Sequence, residues 1–219
     1  MVDLRLYALV DPDTSGGYAL DDLARRVAAG GATLVQLRDK TGGTRRMVAE
    51  ARAIKQALHG SGVPLLINDR VDVALAARAD GVHVGQDDMA VEDARALLGP
   101  QAIIGLSIKS AAQAEQAPVD QLDYVAIGGV FVTTSKDNPA PPVGPAGLRA
   151  IASVIRARAP KMPIGAIAGI DRTNAAEVIA AGGDGIAVIS ALSKTPDPRE
   201  AARALRAIVD SALAQRAAR

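Results

Sequence analysis

Short aliphatic runs alternate with longer Ala-, Leu- and Arg-rich stretches along the whole chain. The runs have strand character and the stretches carry apolar positions at helical spacing, an alternation that predicts βα units feeding a parallel sheet. Strands are expected at 4–10, 34–37, 65–67, 82–84, 103–106, 124–127, 164–167 and 186–189. Helices are expected at 20–29, 44–58, 71–77, 91–98, 111–116, 146–158, 173–180 and 199–214. Eight consecutive units predict an α/β fold, a (β/α)8 TIM barrel forming a single domain over residues 1–219. The alternative, an open doubly wound sheet, requires fewer strands or a reversal of strand order. The stretches 29–31, 79–81 and 181–185 fall between a helix and the next strand and read as helix C-caps. The one long irregular connection, 133–145, follows the sixth strand and contains Pro139, Pro141, Pro142 and Pro145. A loop of that length in a barrel points to function.

Composition narrows the chemistry. With 219 residues, 49% hydrophobic and 22% charged, the chain can bury a full core. A net charge of +1 and only Tyr7, Tyr18, Tyr124 and Phe131 as aromatics argue against nucleic acid as a partner. No apolar run approaches membrane-spanning length and no targeting pattern opens the chain, so a cytoplasmic protein with no membrane partner is expected. The chain contains no Cys, and His59 and His83 are its only histidines, so a bound metal must be held by oxygen. Homo-oligomerisation is left open.

In a barrel, chemistry belongs at the carboxyl ends of the strands. Strand 2 ends in Gln36-Leu37-Arg38-Asp39-Lys40, where a period of two puts Gln36, Arg38 and Lys40 on one side and suits an anion. Strand 3 ends at Asn68-Asp69 and strand 4 runs on to Asp87-Asp88. Asp69 and Asp88 could share Mg2+, which takes one or two carboxylates plus phosphate oxygens. The alternative for either Asp is a helix N-cap, and Asp87 is the better cap candidate at its site. Ser107 offers a hydroxyl after strand 5 or starts a helix. His83 lies inside an apolar run and reads as a structural histidine bonded to backbone. Strand 6 leads to Thr133-Thr134-Ser135-Lys136, the hydroxyls and ammonium of a pyrophosphate site or a solvated turn. Strands 7 and 8 end at Gly169 and at Ile189-Ser190, where backbone N–H groups of such barrels hold phosphate. Two anion sites follow. One is fed by Arg38, Lys40, Lys136 and a metal, the other by backbone at Gly169, Ile189 and Ser190, so two phosphorylated substrates would meet at one mouth. No Ser-His-Asp set, Glu pair or dinucleotide fingerprint is present, which leaves electrostatic stabilisation of a leaving group.

The ordered set Gln36-Leu37-Arg38-Asp39-Lys40, Ile67-Asn68-Asp69, His83 to Met89, Gly105-Leu106-Ser107, Thr133 to Lys136 and Val188 to Ala191 resembles thiamine-phosphate synthase, also called thiamine-phosphate pyrophosphorylase. The resemblance implies a (β/α)8 transferase that joins a hydroxymethylpyrimidine diphosphate to a hydroxyethylthiazole phosphate with Mg2+, through pyrophosphate departure and a pyrimidine-stabilised carbocation. It implies that Gln36, Arg38, Lys40 and Asn68 hold the pyrimidine diphosphate, that Asp69 and Asp88 position Mg2+, and that Ser107 contacts the pyrimidine side. It further implies that Thr133, Ser135 and Lys136 surround the reactants and that Gly169, Ile189 and Ser190 bind the thiazole phosphate. Arg38, Lys40, Ser107 and Lys136 are the residues expected to carry catalysis. The chain departs from the family pattern at Val132, Ser135, Ala168 and Arg70. Two other readings remain: a thiazole tautomerase of the same superfamily, which needs no diphosphate site, and a non-catalytic phosphate-binding barrel.

Overall fold

Alternation along each apolar run sorts its side chains between two cores. In β1 (Leu6–Val10), Tyr7 and Leu9 join one hydrophobic cluster while Leu6, Ala8 and Val10 join another. The same alternation recurs in β2 (Leu34–Leu37), β3 (Leu65–Asn68), β4 (Gly81–Val84), β5 (Ile103–Ile108), β6 (Tyr124–Ile127), β7 (Ile164–Ile167) and β8 (Gly185–Val188), except that β4 gives only Val82 and Val84 to the outer core, with Gly81 and His83 alternating with them. The computed structural model describes residues 1–133 and 141–218. In it each strand pairs in parallel with its sequence neighbour and β8 closes on β1, giving a closed barrel in the order β1-β2-β3-β4-β5-β6-β7-β8. Closure eliminates the open doubly wound sheet.

The smaller cluster, with Tyr7, Leu9, Leu34, Leu66, Tyr124, Ala126, Ala187 and Ile189, fills the barrel. The larger one lies between the strands and the surrounding helices α1 (Leu20–Ala29), α2 (Thr44–Ala57), α3 (Val71–Ala77), α4 (Val91–Leu98), α5 (Ala111–Gln116), α6 (Gly144–Arg158), α7 (Ala175–Ala180), α8 (Ser190–Ser193) and α9 (Pro198–Ala217). Each helix contributes a narrow apolar face, as Leu23, Ala24 and Val27 do in α1. Every large aliphatic side chain so buried stabilises the fold by about 1.5–3 kcal/mol.

Three expectations change. The sequence pattern gave no sign of α8, a single turn. Pro145 does not belong to the connection after β6: α6 already starts at Gly144, with Pro145 in its first turn, where a missing N–H costs nothing. The C-cap reading holds around Gly30 and Gly182 and fails at 79–81, where Arg78 takes the left-handed position at φ 54°. Gly81 instead lies in β4, where a Cβ would overlap the Ile103 carbonyl oxygen, and Gly185 likewise approaches the Leu4 carbonyl. Among the described residues no helix is long and apolar enough to cross a membrane.

Candidate active site at the carboxyl rim

The barrel register brings Gln36 beside Leu9, Asn68 beside His83, His83 beside Gly105 and Ser107 beside Ala126. Gln36, Asn68, His83 and Ser107, from β2 to β5, therefore line one small cavity of about 50 Å3 together with Tyr7, Leu9, Arg38, Ala126, Ile167, Ala187 and Ile189. Gln36 is 1% exposed, and its Oε1 is buried with no partner. A buried acceptor without a donor is costly unless a ligand supplies one.

Arg38 donates to the carboxylate of Asp11, the first residue beyond β1. Asp11 is 2% exposed and also accepts from the Asp13 N–H at 2.9 Å, so it holds the guanidinium from a fixed base. The fork of Arg38 has further donors for an anion. Lys40 donates to Asp69. The turn that carries Lys40 is built around buried Asp39, whose Oδ1 accepts from the N–H groups of Thr41 at 2.9 Å and Gly42 at 2.7 Å.

Asp69 and Asp88 come together. Asp69 has a left-handed backbone, φ 60°, with its N–H bonded to the His83 carbonyl at 2.8 Å, and its carboxylate accepts from Asn68 Nδ2 at 2.6 Å. Burial pushes the Asp69 carboxyl up, the Lys40 ammonium opposes that, and the neighbouring Asp88 carboxyl adds to it. Asp88 accepts from the Gly85 N–H at 2.7 Å. Neither Asp caps a helix, and nor does Asp87: the N-caps of α3 and α4 are Arg70 and Ala90. Two adjacent carboxyls, Asp69 half-buried and leaning on an ammonium and Asp88 exposed at the rim, form an oxygen donor set that suits Mg2+ when phosphate oxygens and waters complete it. Among the described residues no cluster of three or more His, Asp or Glu side chains competes with this pair.

A second, wider cavity of about 420 Å3 adjoins the first and is lined by Val132, Thr133, Gly169, Asp171, Ile189 and Ser190, among others. Ile167, Ala187 and Ile189 line both cavities, so they share a wall. Ser190 opens α8 there. Sequence reasoning assigns Gly169 to ligand approach; it lines this cavity, and packing constrains it as well, because at φ 64° a Cβ would overlap the Val132 carbonyl oxygen and crowd Phe131. Ser135 and Lys136, like Thr134, lie outside the described residues.

Two further corrections concern the inner cavity. Ser107 does not start a helix: it lies in β5, and Ser110 caps α5. His83 bonds side chains rather than neighbouring backbone, with Nδ1 on Tyr124 Oη and Nε2 on Ser107 Oγ, each at 2.8 Å. Asp11, Tyr7 and Tyr124 were missed. Asp11 carried the same signal as the residues found, a polar group just past an apolar run, whereas the tyrosines read as ordinary core.

Residues 6–192 match the family model described as thiamine monophosphate synthase. The chain is 51% identical over 215 residues to a thiamine-phosphate synthase of Agrobacterium fabrum, covering 98% of each. It is 47% identical over 209 residues to one of Chloroflexus aurantiacus, covering 95% of this chain and 94% of the relative. Among solved structures, a thiamine phosphate pyrophosphorylase from Pyrococcus furiosus superposes with a TM-score of 0.84 at 38% identity, covering 97% of this chain and 98% of the other.

Proposed function

The chain belongs to the thiamine monophosphate synthase family, and from that premise we propose a two-substrate transfer at its rim. The enzyme condenses 4-amino-2-methyl-5-(diphosphooxymethyl)pyrimidine with hydroxyethylthiazole phosphate, giving thiamine phosphate and pyrophosphate. The supporting observation is the pair of cavities sharing Ile167, Ala187 and Ile189, one flanked by Arg38 and the paired carboxyls, the other by Gly169 and Ser190. Residues 1–219 act as one unit in this reading.

The C–O bond between the pyrimidine methylene and the diphosphate breaks, with its electron pair leaving on pyrophosphate. The thiazole nitrogen then gives its lone pair to the methylene cation, forming the C–N bond. No side chain needs to attack or to take a proton. What the chain supplies is placement, charge and dryness. Arg38, Lys40 and Lys136 take up charge on the departing diphosphate. Asp69 and Asp88 would hold Mg2+, which when bound neutralises the same oxygens. Gln36, Asn68 and Ser107 hold the pyrimidine, Thr133 and Ser135 would offer hydroxyls to the two reactants, and Gly169, Ile189 and Ser190 hold the thiazole phosphate. Leu9, Ala126, Ile167 and Ala187 keep water from the cation.

The test is pyrophosphate release. It is expected only with both substrates and Mg2+, and Asp88→Ala and Arg38→Ala should each lower the rate about a hundredfold or more while the circular dichroism of the fold is kept. Full rate in both variants overturns the assignment of the diphosphate site, and binding of thiazole phosphate without any release overturns the transferase.

A further inference from the structure

Beneath the rim, side chains from five strands join in one hydrogen-bonded chain. Gln36 on β2 bonds Tyr7 on β1, Tyr7 Oη bonds Tyr124 Oη on β6 at 2.9 Å, Tyr124 Oη bonds His83 Nδ1 on β4 at 2.8 Å, and His83 Nε2 bonds Ser107 Oγ on β5 at 2.8 Å. The rings are tightly packed, Tyr7 against Tyr124 edge to face at 5.8 Å and His83 over Tyr124 at 5.5 Å. Gly105 makes the room, since a Cβ there would overlap the Tyr124 ring. Burial pushes both phenols far above their ordinary range, so each keeps its single proton.

A chain whose inner members each give one hydrogen bond and take one has only two proton orders. With the Gln36 amide nitrogen on Tyr7, the order runs from Tyr7 to Tyr124 to His83 Nδ1. His83 Nε2–H then donates to Ser107, whose own O–H is left to donate into the cavity. At the other end Gln36 Oε1, buried and partnerless, is left to accept. Reversing the order turns every bond at once and exchanges the two ends. The two ends therefore always differ in character, one accepting and one donating, and they cannot be reset independently.

We infer that Tyr7, Tyr124 and His83 are positioning residues that lock Gln36 as acceptor and Ser107 as donor, and so make the cavity select a 4-aminopyrimidine over its 4-oxo counterpart. The inference rests on the proposed placement of the pyrimidine between Gln36 and Ser107. An exocyclic amino group donates and the ring nitrogen across the ring from it accepts, which matches the locked order. A 4-oxo ring presents an acceptor where the amine was and carries its N–H beside the carbonyl, so the nitrogen across the ring is still an acceptor; satisfying the oxo group turns the Gln36 amide, reverses the chain and withdraws the Ser107 proton from that nitrogen. The penalty is one unpaired buried group at either end.

The experiment compares kcat/KM for the 4-amino and 4-oxo pyrimidine diphosphates, by pyrophosphate release, in the wild-type chain, Tyr124→Phe, Tyr7→Phe and the double variant, with Tm for each. Either single variant should lower the amino-to-oxo ratio about tenfold or more, through KM for the pyrimidine and with KM for the thiazole phosphate unchanged. The double variant should lower it little further, because one break already uncouples the ends. An unchanged ratio with a lowered Tm overturns the inference and makes the chain merely structural, while leaving the transferase standing. Wild-type protein that releases pyrophosphate from neither pyrimidine overturns the transferase, and this inference with it.

Discussion

Arg38 performs two tasks with one planar group: part of its fork is spent on Asp11, and the rest must face an anion. Lysine offers the same charge as a point on a flexible stem and cannot serve both directions. Arg38→Lys should therefore lower kcat/KM for pyrophosphate release about tenfold or more, with a rate near wild type showing that charge alone suffices. Ala168 tests the opposite relation. It stands at φ 96°, strained for any residue with a Cβ. Ala168→Gly should raise stability in urea denaturation by about 1 kcal/mol, the strain released less the added freedom of the unfolded chain. At this scale the sequence revealed polar residues that break an apolar run, such as Gln36, Arg38 and Asp69. It concealed Tyr7 and Tyr124, because an inward tyrosine in a strand looks like core until the closed barrel shows which phenols meet. His83 was misread for the same reason: its partners are 24 and 41 residues away in sequence.

Strands and helices were legible because period-two and helical spacing are enforced along their whole length by the two cores. Helices α1, α3, α4 and α5 have the ends that their patterns predict, and β2, β6 and β7 also coincide. Joints were legible only where one residue type dominates the geometry. Arg78 occupies a left-handed cap without being glycine, and Gly81, Gly105 and Gly185 are small for reasons set by a neighbouring strand. Those constraints exist only after pairing. Gly105→Ala follows from this: on β5 the new methyl meets the Tyr124 ring, which is packed by Tyr7 and His83 and tied to both through its hydroxyl. The expected loss is about 3 kcal/mol in chemical denaturation, the upper range for overpacking, and a loss below about 0.5 kcal/mol would mean that the barrel interior yields.

For the molecule as a whole, the rim holds buried charge that the barrel must support before any substrate arrives. Asp69 keeps its proton to higher pH in the fold than in the unfolded chain, first because it is buried and further because Asp88 adjoins it, with Lys40 only partly offsetting both. The sign follows from linkage: the contribution of Asp69 is fully present below the unfolded carboxylate range and is lost as pH rises through the raised value. Near neutral pH the ionised pair therefore weakens the metal-free fold, and a divalent cation between the two carboxyls reverses that. In chelator, Asp69→Asn should raise Tm at about pH 7 and flatten the decline in stability above the carboxylate range. Added Mg2+ at about a hundredfold over its Kd should stabilise the wild-type chain by about 2.7 kcal/mol, or about 5–10 °C in Tm for a chain of this size. The increment should shrink as the pH falls through the raised range of Asp69, whose carboxyl then takes up its proton, and it should vanish in Asp69→Asn and Asp88→Asn alike. An undiminished Mg2+ increment in either variant would place the cation elsewhere, and a lower metal-free Tm for Asp69→Asn would show that the Lys40 pairing outweighs the repulsion at the rim.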